Sequence, residues 1–272
     1  MKNHLLLPIT LLISFFLLLP ESFTLNLKEK DLKVATSESI KIRESTIDLQ
    51  VSIGDKLFVF GKKSGTLDMV KVGMDLLPFS QLIQESNPTI KLRQIGWKRL
   101  KNGTVQIISS FDSWPTGLTW SIYPDGKLKM EASGDVLTAS SSELPLGLDF
   151  DYPEMQLKKV TWKEHSGAWG EWDPESPNQY PPQFFNSIDF VDLTFDQVGV
   201  KVKSADRGVG LQWKSKDEVN QNSDIRFVLR QEDAELARIS KSSDTPDSFN
   251  SQEVSPDKIN TSKGMSLWFE FQ

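Results

Sequence analysis

Residues 118–132 read Leu-Thr-Trp-Ser-Ile-Tyr-Pro-Asp-Gly-Lys-Leu-Lys-Met-Glu-Ala, with apolar and polar residues alternating on either side of an Asp-Gly pair. Alternation at period two marks a half-buried strand. Asp-Gly between two such runs predicts a hairpin, because both central residues of a type I′ turn take positive φ. The two strands then place Trp120 and Ile122 on one face, with Met130 and Leu128 as their cross-strand partners. That assigns Trp120 to a core and makes antiparallel sheet the building material of the chain.

Toward the N-terminus the same pattern repeats. Residues 39–63, SIKIRESTIDLQVSIGDKLFVFGKK, set Ile40 and Ile42, then Ile47, Leu49, Val51 and Ile53, at period two. Gly54-Asp55 interrupts the pattern, and Leu57 to Phe60 resumes it as the second arm of a hairpin. Lys63-Ser64-Gly65-Thr66 is another turn, followed by a strand over Leu67 to Val72. Residues 82–88 carry little pattern and are expected to be loop. Strands return at Ile95–Leu100 and Thr104–Phe111. Between them and the central hairpin, Trp114 stands in Asp112-Ser113-Trp114-Pro115, a connecting loop where packing explains an aromatic less readily than binding does.

Toward the C-terminus, residues 144–182 read LPLGLDFDYPEMQLKKVTWKEHSGAWGEWDPESPNQYPP. A strand, a Tyr152-Pro153 turn and a second strand from Leu157 lead into a segment dense in aromatic and acidic residues. Further strands are expected at Ile188–Leu193, Val198–Lys203, Val209–Lys214, Ile225–Leu229 and Met265–Phe271. Gln231–Ile239 is the only helix candidate, and residues 240–263, rich in Ser, Asp, Asn and Pro, form a long loop or lid. The expected fold is all-β, a single large antiparallel β-sandwich over residues 39–272.

Residues 1–24 have the charged-then-apolar layout of a secretory signal: Lys2 and His4 precede an apolar run from Leu5 to Leu19. Residues 25–38 then serve as a linker, and the expected location is periplasmic or secreted. The chain has no cysteine, so disulfides, a thiolate metal site and a cysteine nucleophile are excluded. The net charge of −6 is unchanged by removal of residues 1–24, which carry one Lys and one Glu. An acidic chain without a basic run is poorly suited to nucleic acid or to anionic membrane surfaces.

The candidate site is the segment around Trp169, Trp172 and Tyr180. Flat apolar rings beside groups that accept hydroxyl hydrogen bonds, here Glu171 and Asp173, suit a sugar ligand, and Trp114 joins the substrate-binding candidates. Catalytic candidates are His165, Glu164, Glu171 and Asp173, with Glu175 nearby. Glycoside hydrolysis needs two carboxylates at a defined separation, which residues in one acidic loop do not guarantee. His165 is the only histidine after residue 24, so a multi-histidine zinc site is excluded. No EF-hand spacing supports calcium at Asp173 and Glu175. No phosphate loop, dinucleotide fingerprint or nucleophile elbow is present, and no cofactor is expected.

The order of landmarks resembles the C-terminal β-sandwich domain of glycoside hydrolase family 2 enzymes, the β-galactosidase small-chain type. The residues that carry it are Lys63-Ser64-Gly65-Thr66-Leu67, Trp120 to Gly126, Leu144 to Phe150, Val160-Thr161-Trp162 and Gly264 to Phe271. The resemblance implies a galactose-mutarotase-like supersandwich with a surface that helps to hold a saccharide. Where family members carry a Gly-Arg-Gly-Pro-like run, this chain has Lys163-Glu164-His165-Ser166-Gly167-Ala168-Trp169. The family's catalytic barrel has no room in the chain, so its hydrolytic mechanism does not carry over. The function expected is an exported carbohydrate-binding protein, non-catalytic or accessory to polysaccharide degradation. An oligo- or polysaccharide is the expected partner, alongside a separate catalytic subunit. Two other functions fit the same residues: a carbohydrate-active enzyme, hydrolase or epimerase-like, using His165 and the carboxylates, and a structural or partner-binding module.

Overall fold

The computed structural model describes residues 39–83, 90–134, 146–176, 184–205, 209–213, 224–229 and 264–272. The expected signal and linker, Tyr180, the helix candidate at 231–239 and the 240–263 loop lie outside them. Five short strands follow one another as an antiparallel meander: β1 (Lys41–Glu44), β2 (Asp48–Ile53), β3 (Lys56–Gly61), β4 (Leu67–Val72) and β5 (Asp75–Leu77). They make the smaller of two sheets.

The larger sheet takes the remaining strands. Its first members are β6 (Ser80–Leu82), β7 (Leu92–Arg99), β8 (Val105–Phe111), β9 (Gly117–Ile122), β10 (Leu128–Ser133) and β11 (Gly147–Asp151). A single 3-10 turn at Glu154–Gln156 precedes β12 (Leu157–Glu164) and β13 (Trp169–Trp172). Then come β14 (Phe184–Phe195), β15 (Gly199–Ser204), β16 (Val209–Trp213), β17 (Ile225–Val228) and β18 (Met265–Phe271). The order is β6-β11-β17-β16-β14-β15-β18-β10-β9-β8-β7, with β12 branching from β14 and β13 pairing with β12. The fold is an all-β sandwich of two antiparallel sheets, one of them curled into a half-barrel.

Period-two alternation explains which side chains meet. In β2, β8 and β18 every second residue is buried, and these residues form one core between the sheets. Phe58 meets Phe271 at 5.8 Å and Phe60 meets Trp120 at 5.9 Å, so aromatic pairs close the sandwich across its two layers. Trp120 is fully buried, as its place in the alternation requires. The last strand, β18, inserts between β15 and β10 and so completes a sheet whose other members precede it in sequence.

The central hairpin forms with the expected pairs, Trp120 opposite Met130 and Ile122 opposite Leu128. Its turn differs from the two-residue expectation. Gly126 N–H donates to Tyr123 O at 2.9 Å and Tyr123 N–H donates to Lys127 O at 3.0 Å, which closes a three-residue loop, Pro124-Asp125-Gly126. Proline's fixed φ suits the first central position of a type I turn, and Gly126, at φ +80°, supplies the left-handed residue that follows. Three strands escaped the sequence pattern. β5 and β6 have three residues each and β13 has four, too few for alternation to register.

Candidate functional site

The residues singled out in the sequence converge on the β12–β13 ribbon. Glu164 N–H donates to Ala168 O at 2.8 Å and Gly167 N–H to Glu164 O at 2.9 Å, so His165-Ser166-Gly167 forms a second three-residue turn, with Gly167 at φ +93°. The ladder that follows sets Lys163 opposite Trp169, Trp162 opposite Gly170, Thr161 opposite Glu171 and Val160 opposite Trp172. Opposed residues share a face, and neighbours along a strand take opposite faces. The ribbon therefore has an inner side of Val160, Trp162, Gly170 and Trp172, and an outer side of Thr161, Lys163, Trp169 and Glu171.

The inner side is closed. Trp162 is buried, its ring 5.2 Å from that of Phe185. A Cβ on Gly170 would overlap the Trp162 indole, so glycine here leaves the space in which that ring lies across β13. Trp172 is half-buried against the core and meets Trp213 edge-on at 6.3 Å. It is not a second exposed ring beside Trp169, because the two tryptophans are three positions apart on one strand and so point to opposite faces.

The outer side is open. Trp169 is 67% exposed, and its ring stands edge-on to Phe190 of β14 at 5.1 Å and 73°. Phe190 lies directly opposite Lys163 on the other edge of β12. The ladder is irregular between Lys163 and Glu164, and Asp189 occupies that irregularity. Its carboxylate receives Lys163 Nζ at 3.1 Å and His165 Nδ1 at 2.9 Å. These partners, His165 first, hold the Asp189 carboxyl below the usual carboxylate range.

The acidic candidates are each engaged locally rather than facing one another. Glu171 pairs with Lys159 at 2.9 Å and Glu175 with Lys158 at 3.0 Å. Asp173 Oδ1 accepts the Glu175 N–H at 2.9 Å, an Asx turn that ends the ribbon. Glu164 accepts from the Ser166 hydroxyl at 3.5 Å. At the base of the ribbon, Asp224 accepts the Tyr152 N–H at 2.8 Å, and burial pushes its carboxyl up to about 8.

Trp114 corrects the sequence expectation. It is 5% exposed and belongs to the core, with no face free to stack on a ligand. The β8–β9 connection folds back toward Gly134, where a Cβ would press on the Trp114 ring. Loop position is therefore no guide to exposure here. Tyr180 lies outside the described residues. The residues that sequence reasoning missed are Asp189 and Phe190 of β14 and the role of Lys163; the alternation in β14 marks Phe190 as outward-facing once that strand's length is known.

A separate concavity of about 750 Å³ opens between the small sheet and β6–β8, lined by Ile47, Asp48, Asp68, Leu82, Ile90 and Phe111 among others. Burial raises the Asp68 carboxyl, and hydrogen bonds from Ser45 and Gln50 lower that of Asp48. Among the described residues no group of three or more His, Cys, Asp or Glu side chains is placed to hold a metal ion, and no helix is long and apolar enough to cross a membrane.

No family model matches the chain, and no curated protein is similar to it. Among solved structures, the chain is similar to the one described as "Crystal Structure Analysis of HI1317", at 7% identity, with 86% of this chain and 96% of that chain covered and a TM-score of 0.41.

Proposed function

We propose that this chain is an exported carbohydrate-binding β-sandwich protein, accessory to polysaccharide degradation, and that it binds saccharide on the outer side of the β12–β13 ribbon. The observation that carries this reading is Trp169. Its ring is 67% exposed, braced edge-on by Phe190, and bordered by the Lys163–Asp189–His165 group. A braced ring presents its face to ligand with little freedom to lose on binding. A pyranose offers an apolar C–H face that stacks on such a ring, and its hydroxyls find donors and acceptors at the ring's border.

The resemblance to the family 2 small-chain domain supports the same reading, as does the charged-then-apolar layout of residues 1–24. A separate catalytic subunit supplies the bond-breaking chemistry in this account. The ribbon's own carboxylates are tied to Lys159, Lys158 and the Asp173 turn, so they serve as hydrogen-bonding border rather than as an acid and nucleophile.

The test is a glycan-array screen of the protein beside its Trp169→Ala variant, with product analysis on every hit. Binding that the substitution abolishes, without product, is the expected result. Product formation would replace the reading with an enzymatic one. No binding by the parent protein, or binding indifferent to Trp169, would overturn it.

A further inference from the structure

The ladder partners continue beyond the ribbon. Trp169 lies opposite Lys163, Lys163 opposite Phe190, Phe190 opposite Lys203, Lys203 opposite Trp268, and Trp268 opposite Lys129. All six are on the outer side of the large sheet: Lys163, Phe190, Lys203, Trp268 and Lys129 each adjoin a buried residue that points the other way, and Trp169 shares the face of Lys163, its ladder partner. The row thus crosses β13, β12, β14, β15, β18 and β10 and alternates aromatic ring with lysine at every strand.

Toward each end of the row a tryptophan is braced by a second aromatic ring. At one end Trp169 leans on Phe190. At the other, Trp268 is half-buried beside Tyr123, ring centres 5.1 Å apart, with Lys129 Nζ 5.6 Å from its ring centre. Between them Lys201 Nζ sits 3.9 Å from the centre of the Phe190 ring, closer than Lys129 comes to Trp268, so the middle aromatic is the more tightly covered and the two larger indoles are the rings left to serve as platforms. Four strand spacings separate them, about 19 Å along the row. That is the reach of several linked sugars and beyond that of one.

The charges along the row cancel. Lys163 pairs with Asp189 at 3.1 Å, Lys203 with Glu270 at 2.7 Å and Lys129 with Glu131 at 2.8 Å. An anionic ligand would find each of these lysines already neutralised. An uncharged chain of hydroxyls and C–H faces finds flat rings at the ends and paired hydrogen-bonding groups between them.

We infer that the ligand is an uncharged, linear polysaccharide laid across the strands of the large sheet, held by Trp169 at one end and Trp268 at the other. The inference rests on the carbohydrate-binding reading of the ribbon and extends it to a second platform and to a ligand class.

The experiment is titration calorimetry of the full chain with cello-, manno- and xylo-oligosaccharides of increasing length, and with oligogalacturonates as the charged comparison. Affinity is expected to rise with length until the chain spans both tryptophans, then to level. Trp268→Ala is expected to weaken the longest neutral oligosaccharide about tenfold and to leave the shortest binder unchanged. Trp268→Phe keeps a ring and much of the packing, so it should retain most of the length dependence; a melting curve on both variants shows that each is folded. Affinity independent of length, or a folded Trp268→Ala variant that binds long chains as well as the parent, would overturn the two-platform inference and leave the Trp169 site standing. Preference for the oligogalacturonates would overturn its neutral-ligand part. Absence of binding to every probe would remove the carbohydrate reading and this inference together.

Discussion

Trp169 and Trp172 stand three residues apart on a four-residue strand, one 67% exposed and the other packed on Trp213. The local composition around both is the same mixture of glycine, acid and aromatic. Strand parity alone separates them, and it gives the ribbon one side that holds it to the core and one side that meets solvent. The comparison teaches that a cluster of tryptophans in sequence is two populations in a strand, with stability concentrated in one and recognition in the other.

Five substitutions would break or sharpen that contrast. The largest effect is expected from Trp162→Ala on the inner side, about 3–5 kcal/mol of stability lost by the cost of emptying a large aromatic site, read from the denaturant midpoint. A loss below about 1 kcal/mol, the range of ordinary surface substitutions, would mean that the inner side does not anchor the ribbon. Next is Gly170→Ala, where the added methyl meets the Trp162 indole. Overpacking of that kind costs about 1–3 kcal/mol and should also alter the near-UV circular dichroism of the tryptophans.

Trp169→Ala comes third in stability. It gives up one edge-on pair with Phe190, about 0.5–1.5 kcal/mol, yet on the proposed function it should abolish glycan binding. Trp172→Ala should do the reverse, costing more stability and sparing affinity in whatever fraction remains folded. Equal binding losses in the two folded variants would erase the distinction between the sides.

The smallest effect is expected from Asp189→Asn, since an exposed ion pair contributes about 0–1 kcal/mol. Its size is set by pH. The Asp189 carboxyl is depressed in the folded chain, so its contribution is present above the ordinary value of 3.8 and is lost as pH falls through the folded value. Asp224 runs the other way: raised from 3.8 to about 8, it makes the parent lose stability as pH climbs between those values. The difference between parent and Asp189→Asn unfolding curves therefore isolates the outer-side pair, and it should close in acid.

Much of the fold was legible because alternation is a local property. The Trp120–Met130 and Ile122–Leu128 pairs, the buried Trp120 and the returning strand at Met265–Phe271 all follow from period two. Local composition also singled out the segment that forms the ribbon, through its tryptophans and acidic residues, but not the turn at His165-Ser166-Gly167 or the strand that follows it. What it did not deliver was the far partner of each outer residue. Phe190 and Asp189 meet Trp169 and Lys163 only through the β12–β14 register, which is fixed by packing between strands that are distant in sequence. The parity of Trp169 against Trp172 was within reach of the same period-two rule, but β13 is too short to announce itself as a strand. Trp114 failed for the opposite reason: its surroundings look like loop, and the core collects it anyway.

The brevity of β13 has a further consequence for how copies of this chain behave together. Among the described residues β13 pairs in the ladder with β12 alone, and a strand at the end of a sheet can act as a template for a strand from another molecule. Here the template stops after Trp172. Pro174 has no N–H to offer, and the N–H groups of Glu175 and Ser176 are taken by Asp173, at 2.9 and 3.0 Å. Replacing Pro174 with a strand-forming residue would lengthen the strand beside an exposed tryptophan. Concentrated solutions of such a variant should associate, by light scattering, where the parent stays dispersed. The turn that ends the ribbon thus acts as a guard on solubility, keeping an aromatic edge from growing into a shared sheet.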